Sequence, residues 1–294
     1  MRDVDSVRPT VLITGGNAGI GRAAAVELAR LGYAVLITSR DAERGAAAVE
    51  RIRRESGVDA VEWLPLDLSN LASVRACAAR VVERGRPLEV LINNAGTIRS
   101  QRALSVDGNE LTFQVNHLGH FLLTTLLLEG LGTKGPSRII NVSSQMYGRA
   151  KGGLDFDDLQ MERGYSAVRA YSHSKLANIY FTRALARRLA GQGVTVNAVH
   201  PGGVRTELGG DGELGGVTGV SWWLIKRFLR SPSSGARPVV RLATSDEVAG
   251  VSGAYFEREK QQSLRGVAAD AEAAARLWAI SERLVALRSG PPGP

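Results

Sequence analysis

Short runs of apolar, β-prone residues alternate with helix-patterned stretches almost from the first residue, and this alternation narrows the possible folds more than any other feature. Candidate strands lie at 10–14, 34–38, 60–65, 89–93, 138–142, 194–199 and 253–256, with helical patterns at 19–31, 42–55, 71–83, 110–131 and 171–190 between them. Val11-Leu12-Ile13 and Val90-Leu91-Ile92 are apolar at successive positions. That pattern fits strands covered on both faces, as in a parallel sheet. The expectation is an α/β fold built on a doubly wound parallel sheet of about seven strands flanked by helices.

Nothing in the 294 residues reads as a linker between two domains. Residues 10–288 are expected to form one domain, with an N-terminal extension at 1–9, an insertion around 207–232 and a frayed tail at 289–294. The formal net charge is +8, and only five of the 37 basic residues are lysines. The arginines are scattered and often stand beside acids, as in Arg40-Asp41, Glu50-Arg51 and Glu83-Arg84. With no block of like charges and no recognition motif, this is a solvated basic surface rather than a nucleic-acid site. The single cysteine, Cys77, excludes an intrachain disulfide and a multi-cysteine metal site, and fits a reducing, cytoplasmic setting. His117, His120, His173 and His200 show no metal-ligand spacing, so no metal is expected. The charged stretch Met1 to Pro9 holds no apolar signal core, and the apolar run 118–131 is broken by His120, Thr124, Thr125, Glu129 and Gly130. A soluble protein without a transmembrane segment is expected.

Directly after the first strand comes Thr14-Gly15-Gly16-Asn17-Ala18-Gly19-Ile20-Gly21, which opens a helix. Glycines there let the backbone turn tightly and approach a pyrophosphate, while the helix N-terminus offers free N–H groups and a positive dipole end. Thr14 followed by G-x-x-x-G-x-G resembles the cofactor loop of the short-chain dehydrogenase/reductase family, which implies a Rossmann-type fold and a nicotinamide cofactor. The resemblance assigns cofactor contacts to Gly15, Asn17, Gly19, Ile20 and Gly21 in this loop. The second strand ends in Thr38-Ser39-Arg40, and Arg40 lies 19 residues beyond Gly21. An acid there would hold the ribose 2′-hydroxyl of NAD, whereas an arginine accommodates the 2′-phosphate of NADP. Arg40 therefore favours NADP over NAD; Asp41 beside it is either a competing acid or the cap of the next helix. Asp67, with Leu68, follows the third strand as the family's adenine contact or as a helix cap. Asn93-Asn94-Ala95-Gly96 matches the family's N-N-A-G, which adds Asn93, Ala95 and Gly96 on the adenosine side.

Tyr171-Ser172-His173-Ser174-Lys175 is Y-x-x-x-K on a helical pattern, which puts phenol and ammonium on one face. A free phenol titrates near ~10, and lowering that by ~3 units needs ~4 kcal/mol of differential stabilisation. Lys175 is expected to supply part of this, with the positive nicotinamide ring. The strand Arg138-Ile139-Ile140-Asn141-Val142 ends in Ser143-Ser144; the resemblance matches Ser144 to the family's catalytic serine, with Ser143 as the alternative beside it. Asn116 matches the fourth active-site residue, which in the family holds a water linking lysine to bulk solvent. After the sixth strand, His200-Pro201-Gly202-Gly203-Val204-Arg205-Thr206 matches the P-G segment beside nicotinamide, implying contacts from Pro201, Gly202, Val204 and Thr206. Tyr171 is then general acid/base, Ser144 polarises the substrate oxygen, Lys175 tunes Tyr171 and binds ribose, and Asn116 supports the proton relay.

Ser144 and Tyr171 stand 27 positions apart, wider than the commonest family pattern. The extra segment, Gly153-Leu154-Asp155-Phe156-Asp157-Asp158-Leu159, and the run Tyr171 to Asn178 resemble the retinol dehydrogenase-like branch, which implies a small lipophilic alcohol or carbonyl substrate. Trp222, Ile225, Phe228 and Leu229 share one helical face opposite Lys226, Arg227 and Arg230. That amphipathic segment reads as a substrate lid, a helix capping the core, or a peripheral membrane contact. A homo-oligomer stays open. So does a catalytically weak dinucleotide sensor on the same fold, whose usual sign would be loss of the tyrosine or lysine.

Overall fold

The strands are apolar on both sides because both faces of the sheet are covered. The computed structural model describes residues 8–131, 135–204 and 230–286. Within them β1 (Thr10–Ile13), β2 (Ala34–Ser39), β3 (Val61–Pro65), β4 (Val90–Asn93), β5 (Ser137–Val142), β6 (Val194–His200) and β7 (Tyr255–Glu257) pair in parallel. A short antiparallel β8 (Lys260–Gln262) closes one edge, giving the eight-stranded order β3-β2-β1-β4-β5-β6-β7-β8. The helices are α1 (Gly19–Arg30), α2 (Ala42–Ser56), α3 (Leu71–Glu83), α4, α5 (Ala167–Arg188), α6 (Pro232–Thr244) and α7 (Ala271–Ala286). Helix α4 is three contiguous pieces, Leu111–Phe113, a π-helical turn Gln114–Leu118, and Gly119–Leu127.

Alternate residues of each strand feed two separate cores. Val11, Ile13, Val35, Ile37 and Ile92 pack with α1, α2 and α6; Leu12, Leu36, Leu91 and Ile139 pack with α3, α4, α5 and α7. This is a single Rossmann-like α/β domain, as the strand–helix alternation implies. Two of its helices and one strand exceed the expected elements. Helix α6 carries Pro232 in its first turn and Pro238 inside; prolines argue against a helix interior, yet Pro238 is buried and the Ser231 side chain caps the N-terminus. Helix α7 buries Ala274, Leu277, Trp278, Ser281 and Val285, a helical stripe that was legible, and Asp270 caps it by accepting from Glu272 and Ala273. Strand β8 is three exposed polar residues with no apolar pattern to announce it.

The extension and tail expected at 1–9 and 289–294, apart from Arg8 and Pro9, lie outside the described residues, as does most of the insertion around 207–232, Trp222 to Leu229 included. No helix among the described residues is long and apolar enough to cross a membrane.

The turn from the π-helical piece into the rest of α4 is tight against the chain that follows β3. A Cβ on Gly119 would stand 2.9 Å from both the Leu68 side chain and the Leu68 carbonyl oxygen. Backbone cannot step aside as a side-chain tip can. Gly119→Ala is therefore expected to destabilise the fold by about 1–3 kcal/mol, the usual cost of overpacking, seen as a lower urea midpoint. Gly130→Ala, where nothing lies within 4 Å of the added methyl, is expected to stay within about 0.5 kcal/mol of the parent.

Candidate active site

A cleft of about 380 Å³ runs along the carboxyl ends of the central strands. One wall is the glycine-rich turn between β1 and α1. Gly15 and Gly19 have φ of +64° and +54°, backbone that side-chain-bearing residues rarely adopt. Gly21 lacks room instead: a Cβ there would stand 2.5 Å from Asn94 Nδ2 and 2.6 Å from the Gly15 carbonyl oxygen. The turn is stitched to the end of β4, since the Thr14 hydroxyl accepts from the Asn94 and Ala95 amides at 2.9 and 3.0 Å, and Asn94 Nδ2 donates to the Thr14 carbonyl at 2.8 Å. Helix α1 has no capping side chain and no acid in its first turn, whereas side chains cap α2, α3, α5 and α6. Gly19 and Ile20 of its first turn line the cleft, and an uncapped helix N-terminus offers free N–H groups to an anion. The cradle fits a dinucleotide pyrophosphate.

At the far end, Thr38, Ser39, Arg40, Asp41 and Arg44 line the cleft. Asp41 Oδ1 accepts from the Arg44 amide at 2.8 Å and caps α2, which settles its local role in favour of the cap. Arg44 is a second arginine there that the sequence reading missed; one turn of α2 brings it beside Arg40. Asp67 also lines the cleft, but it is not a helix cap. Its Oδ1 accepts from the Ser69 amide and hydroxyl at 2.9 and 2.7 Å, while Asn70 caps α3. Asn93 is placed elsewhere: its buried amide donates to Thr124 Oγ1 and Asn141 Oδ1 inside the structure, and Asn94 takes the cleft position. Neighbouring strand residues alternate faces, and the motif alone does not say which asparagine faces the ligand.

Tyr171, Lys175, Ser143 and Ser144 meet at the other end, with His200, Pro201, Gly202 and Val204 closing that side. Ser144 Oγ accepts from the Met146 amide at 3.2 Å, and its hydroxyl opposes the rise of the Tyr171 phenol. Ser143 Oγ instead donates to the Lys175 carbonyl at 2.8 Å, so Ser144 is the serine free to reach a substrate oxygen through the cleft. Lys175 Nζ donates to the Val142 carbonyl at 3.2 Å and lies 5.3 Å from the Tyr171 ring centre. Asn116, in the π-helical turn, accepts from the Thr97 amide at 2.7 Å and donates to the Thr97 carbonyl and Ser174 Oγ, both at 2.9 Å. Gly96 packs against it, its side-chain position falling 3.3 Å from Asn116 Oδ1 and 3.5 Å from Lys175 Nζ. Thr206 lies outside the described residues. Among the described residues no group of His, Cys, Asp or Glu forms a metal cluster.

The electrostatics depart from the sequence expectation. Burial pushes the Tyr171 phenol up to about 12, with the Ser144 hydrogen bond opposing, and pushes the Lys175 ammonium down to about 8. Desolvation disfavours the charged form of both groups. The chain's own residues therefore keep the phenol protonated, and the lowering expected from Lys175 together with the nicotinamide ring has this burial to overcome.

Comparison with known proteins converges on one family. The family model described as enoyl-(acyl carrier protein) reductase matches residues 15–256. The chain is 46% identical over 287 residues to human retinol dehydrogenase 13, covering 95% of this chain and 85% of that protein. Among solved structures, an uncharacterised protein from Mycobacterium paratuberculosis superposes with a TM-score of 0.75 at 36% identity, covering 95% of this chain and 94% of that one. A short-chain dehydrogenase from Burkholderia cenocepacia in complex with NADP superposes with a TM-score of 0.67 at 27% identity, covering 85% and 95%.

The Gly21 contact gives a direct check on the cradle. Gly21→Ala drives a methyl into the Gly15 carbonyl and Asn94 and is expected to weaken NADPH binding at least tenfold in a fluorescence titration, about 1.4 kcal/mol. Gly152→Ala, which meets nothing within 4 Å, is expected to leave that affinity unchanged.

Proposed function

Because the chain belongs to the short-chain dehydrogenase/reductase family, in its retinol dehydrogenase-like branch, we propose that it is an NADP-dependent oxidoreductase of lipophilic alcohols and carbonyls, with Tyr171 as the general acid/base. The oxidoreductase class follows from the family. The observation carrying the finer reading is the meeting of Tyr171, Ser144 and Lys175 at the end of the cleft opposite Arg40. The bound dinucleotide supplies the hydride chemistry.

The chain's residues position and protonate. Ser144 shares the cleft wall with the phenol and offers a hydroxyl to the substrate oxygen. Tyr171, pushed up to about 12, keeps its proton at neutral pH and is poised to give it to a carbonyl oxygen. Lys175, with its pKa near 8, holds a charge that responds to whatever anion or hydroxyl enters beside it. Arg40 and Arg44 both line the cleft at the end of β2, while Asp41 caps α2; two guanidinium groups there support NADP over NAD. Apolar Leu111 and Val115 line the cleft, which supports a lipophilic substrate, as does the similarity to human retinol dehydrogenase 13. A sensor without turnover has less support, because the phenol, the ammonium and Ser144 are all in place. Cys77 is buried with its thiol pushed up to about 11 by burial, in keeping with a reducing cytoplasmic setting.

Consumption of NADPH followed by absorbance across retinal, aliphatic aldehydes and ketones tests the class of substrate. Tyr171→Phe is expected to abolish turnover while leaving NADPH affinity within about twofold, since a phenol-to-phenyl change removes a proton donor and little contact area. More than a few per cent residual activity would remove Tyr171 from the acid/base role.

Cofactor choice is tested separately. Arg40→Ala removes a charge-assisted contact, about 1.5–3 kcal/mol, and is expected to weaken NADPH ten- to a hundredfold while NADH changes little. Equal losses for the two cofactors would show that Arg40 does not read the 2′-phosphate.

A further inference from the structure

His120 lies on α4, one turn beyond Asn116, and is 2% exposed. Its two ring nitrogens reach two different parts of the site. Nδ1 lies 3.2 Å from the Asn116 main-chain carbonyl oxygen, and Nε2 lies 2.9 Å from Thr14 Oγ1. A carbonyl only accepts, so Nδ1 carries the proton and donates. In the neutral ring Nε2 is then an acceptor, and the Thr14 hydroxyl donates to it. Thr14 Oγ1 in turn accepts from the Asn94 and Ala95 amides. On the other side the contact runs through Asn116 Nδ2 to Ser174 Oγ, and from Ser174 Oγ to the Tyr171 carbonyl at 2.8 Å.

Asn116 sits in the π-helical turn, where the Gly119 amide bonds the Gln114 carbonyl, five residues back. Such turns often stand at functional sites.

We propose that His120 is a positioning residue that couples the glycine-rich cofactor loop to the Asn116–Ser174–Tyr171 side of the active site. It does so as one rigid neutral ring, holding Thr14 with one nitrogen and the Asn116 carbonyl with the other. The proposal rests on the oxidoreductase reading above. Burial pushes the ring down to about 4, with the Lys175 charge adding to that and the Asn116 hydrogen bond opposing, so it stays neutral across the working pH range and keeps both partners at once. An imidazolium would donate from both nitrogens and turn the Thr14 hydroxyl away.

Two substitutions separate the two arms. An asparagine amide nitrogen stands close to the place of Nδ1, and a glutamine amide oxygen close to that of Nε2. His120→Asn keeps the Asn116 arm and loses the Thr14 arm; it is expected to raise the Kd and KM for NADPH five- to tenfold with kcat within twofold. His120→Gln keeps the Thr14 arm and is expected to lower kcat for decanal five- to tenfold with the NADPH Kd within twofold. His120→Leu should show both losses.

A direct readout needs neither turnover nor cofactor. The ¹⁵N shifts of the His120 ring in the wild-type protein, assigned through the bonds linking the ring to the sequentially assigned backbone, should report the neutral Nδ1–H tautomer from pH 5 to 9. An Nε2–H tautomer or an imidazolium would overturn the proposal even if every variant misfolds. Wild-type turnover with equal losses in the Asn and Gln variants, tracking a lower melting temperature, would reduce His120 to a structural core residue and leave the oxidoreductase reading intact. A wild-type chain that neither binds nor consumes NADPH would sink that reading and the coupling together.

Discussion

The rest of the site depends on one close backbone approach. The Gly15 carbonyl and the Asn94 side chain occupy the space where a Gly21 Cβ would lie, and only that closeness lets α1 start directly above the ends of β1 and β4. Those strands are neighbours at the centre of the sheet, yet α1 packs against one face and α4 against the other. A crevice opens wherever helices following adjacent strands part in this way. The glycines fill the crevice floor with backbone rather than side chains, and the uncapped N-terminus of α1 turns its N–H groups into it. From this floor one end of the cleft runs to β2 and its arginines, the other to the ends of β5 and β6.

Local chemistry made much of this legible in sequence. Successive apolar positions in Val11-Leu12-Ile13 announced a strand buried on both faces, and the two cores divide those residues alternately. The Tyr171 and Lys175 spacing announced a shared helical face, and both line the cleft. What the sequence hid depends on three-dimensional register. Asn93 and Asn94 are chemically identical neighbours, and only strand pleat decides that Asn94 faces the cleft. Arg44 is one of many scattered arginines until α2 starts at Ala42, capped by Asp41. Helix α6 was hidden by its two prolines, one in a first turn that tolerates it and one buried at Pro238.

On the chain's own residues, burial works against the phenolate that the Tyr171–Lys175 spacing alone suggests. A Y-x-x-x-K pair on an exposed helix face would let the ammonium favour phenolate. Here Lys175 is 3% exposed, and the desolvation that raises the phenol also lowers the ammonium. Spacing tells which groups meet, but burial decides which of them stay charged when they do.

That same burial bears on the neutral polar groups behind the cleft. An unpaired buried polar atom is costly, and a chain of paired ones polarises and stiffens. Thr14, His120, Asn116 and Ser174 form such a chain, every link made within hydrogen-bonding distance. It runs behind the cleft rather than along its lining, so it fixes the glycine-rich loop and the tyrosine helix relative to each other without occupying the space a ligand needs. Distance between the two ends of the reaction is thereby set by covalent ring geometry and short hydrogen bonds instead of by flexible surface contacts. A histidine suits this position better than the amides or hydroxyls around it, because its two nitrogens sit on opposite edges of a rigid ring and, in the neutral form, one donates while the other accepts.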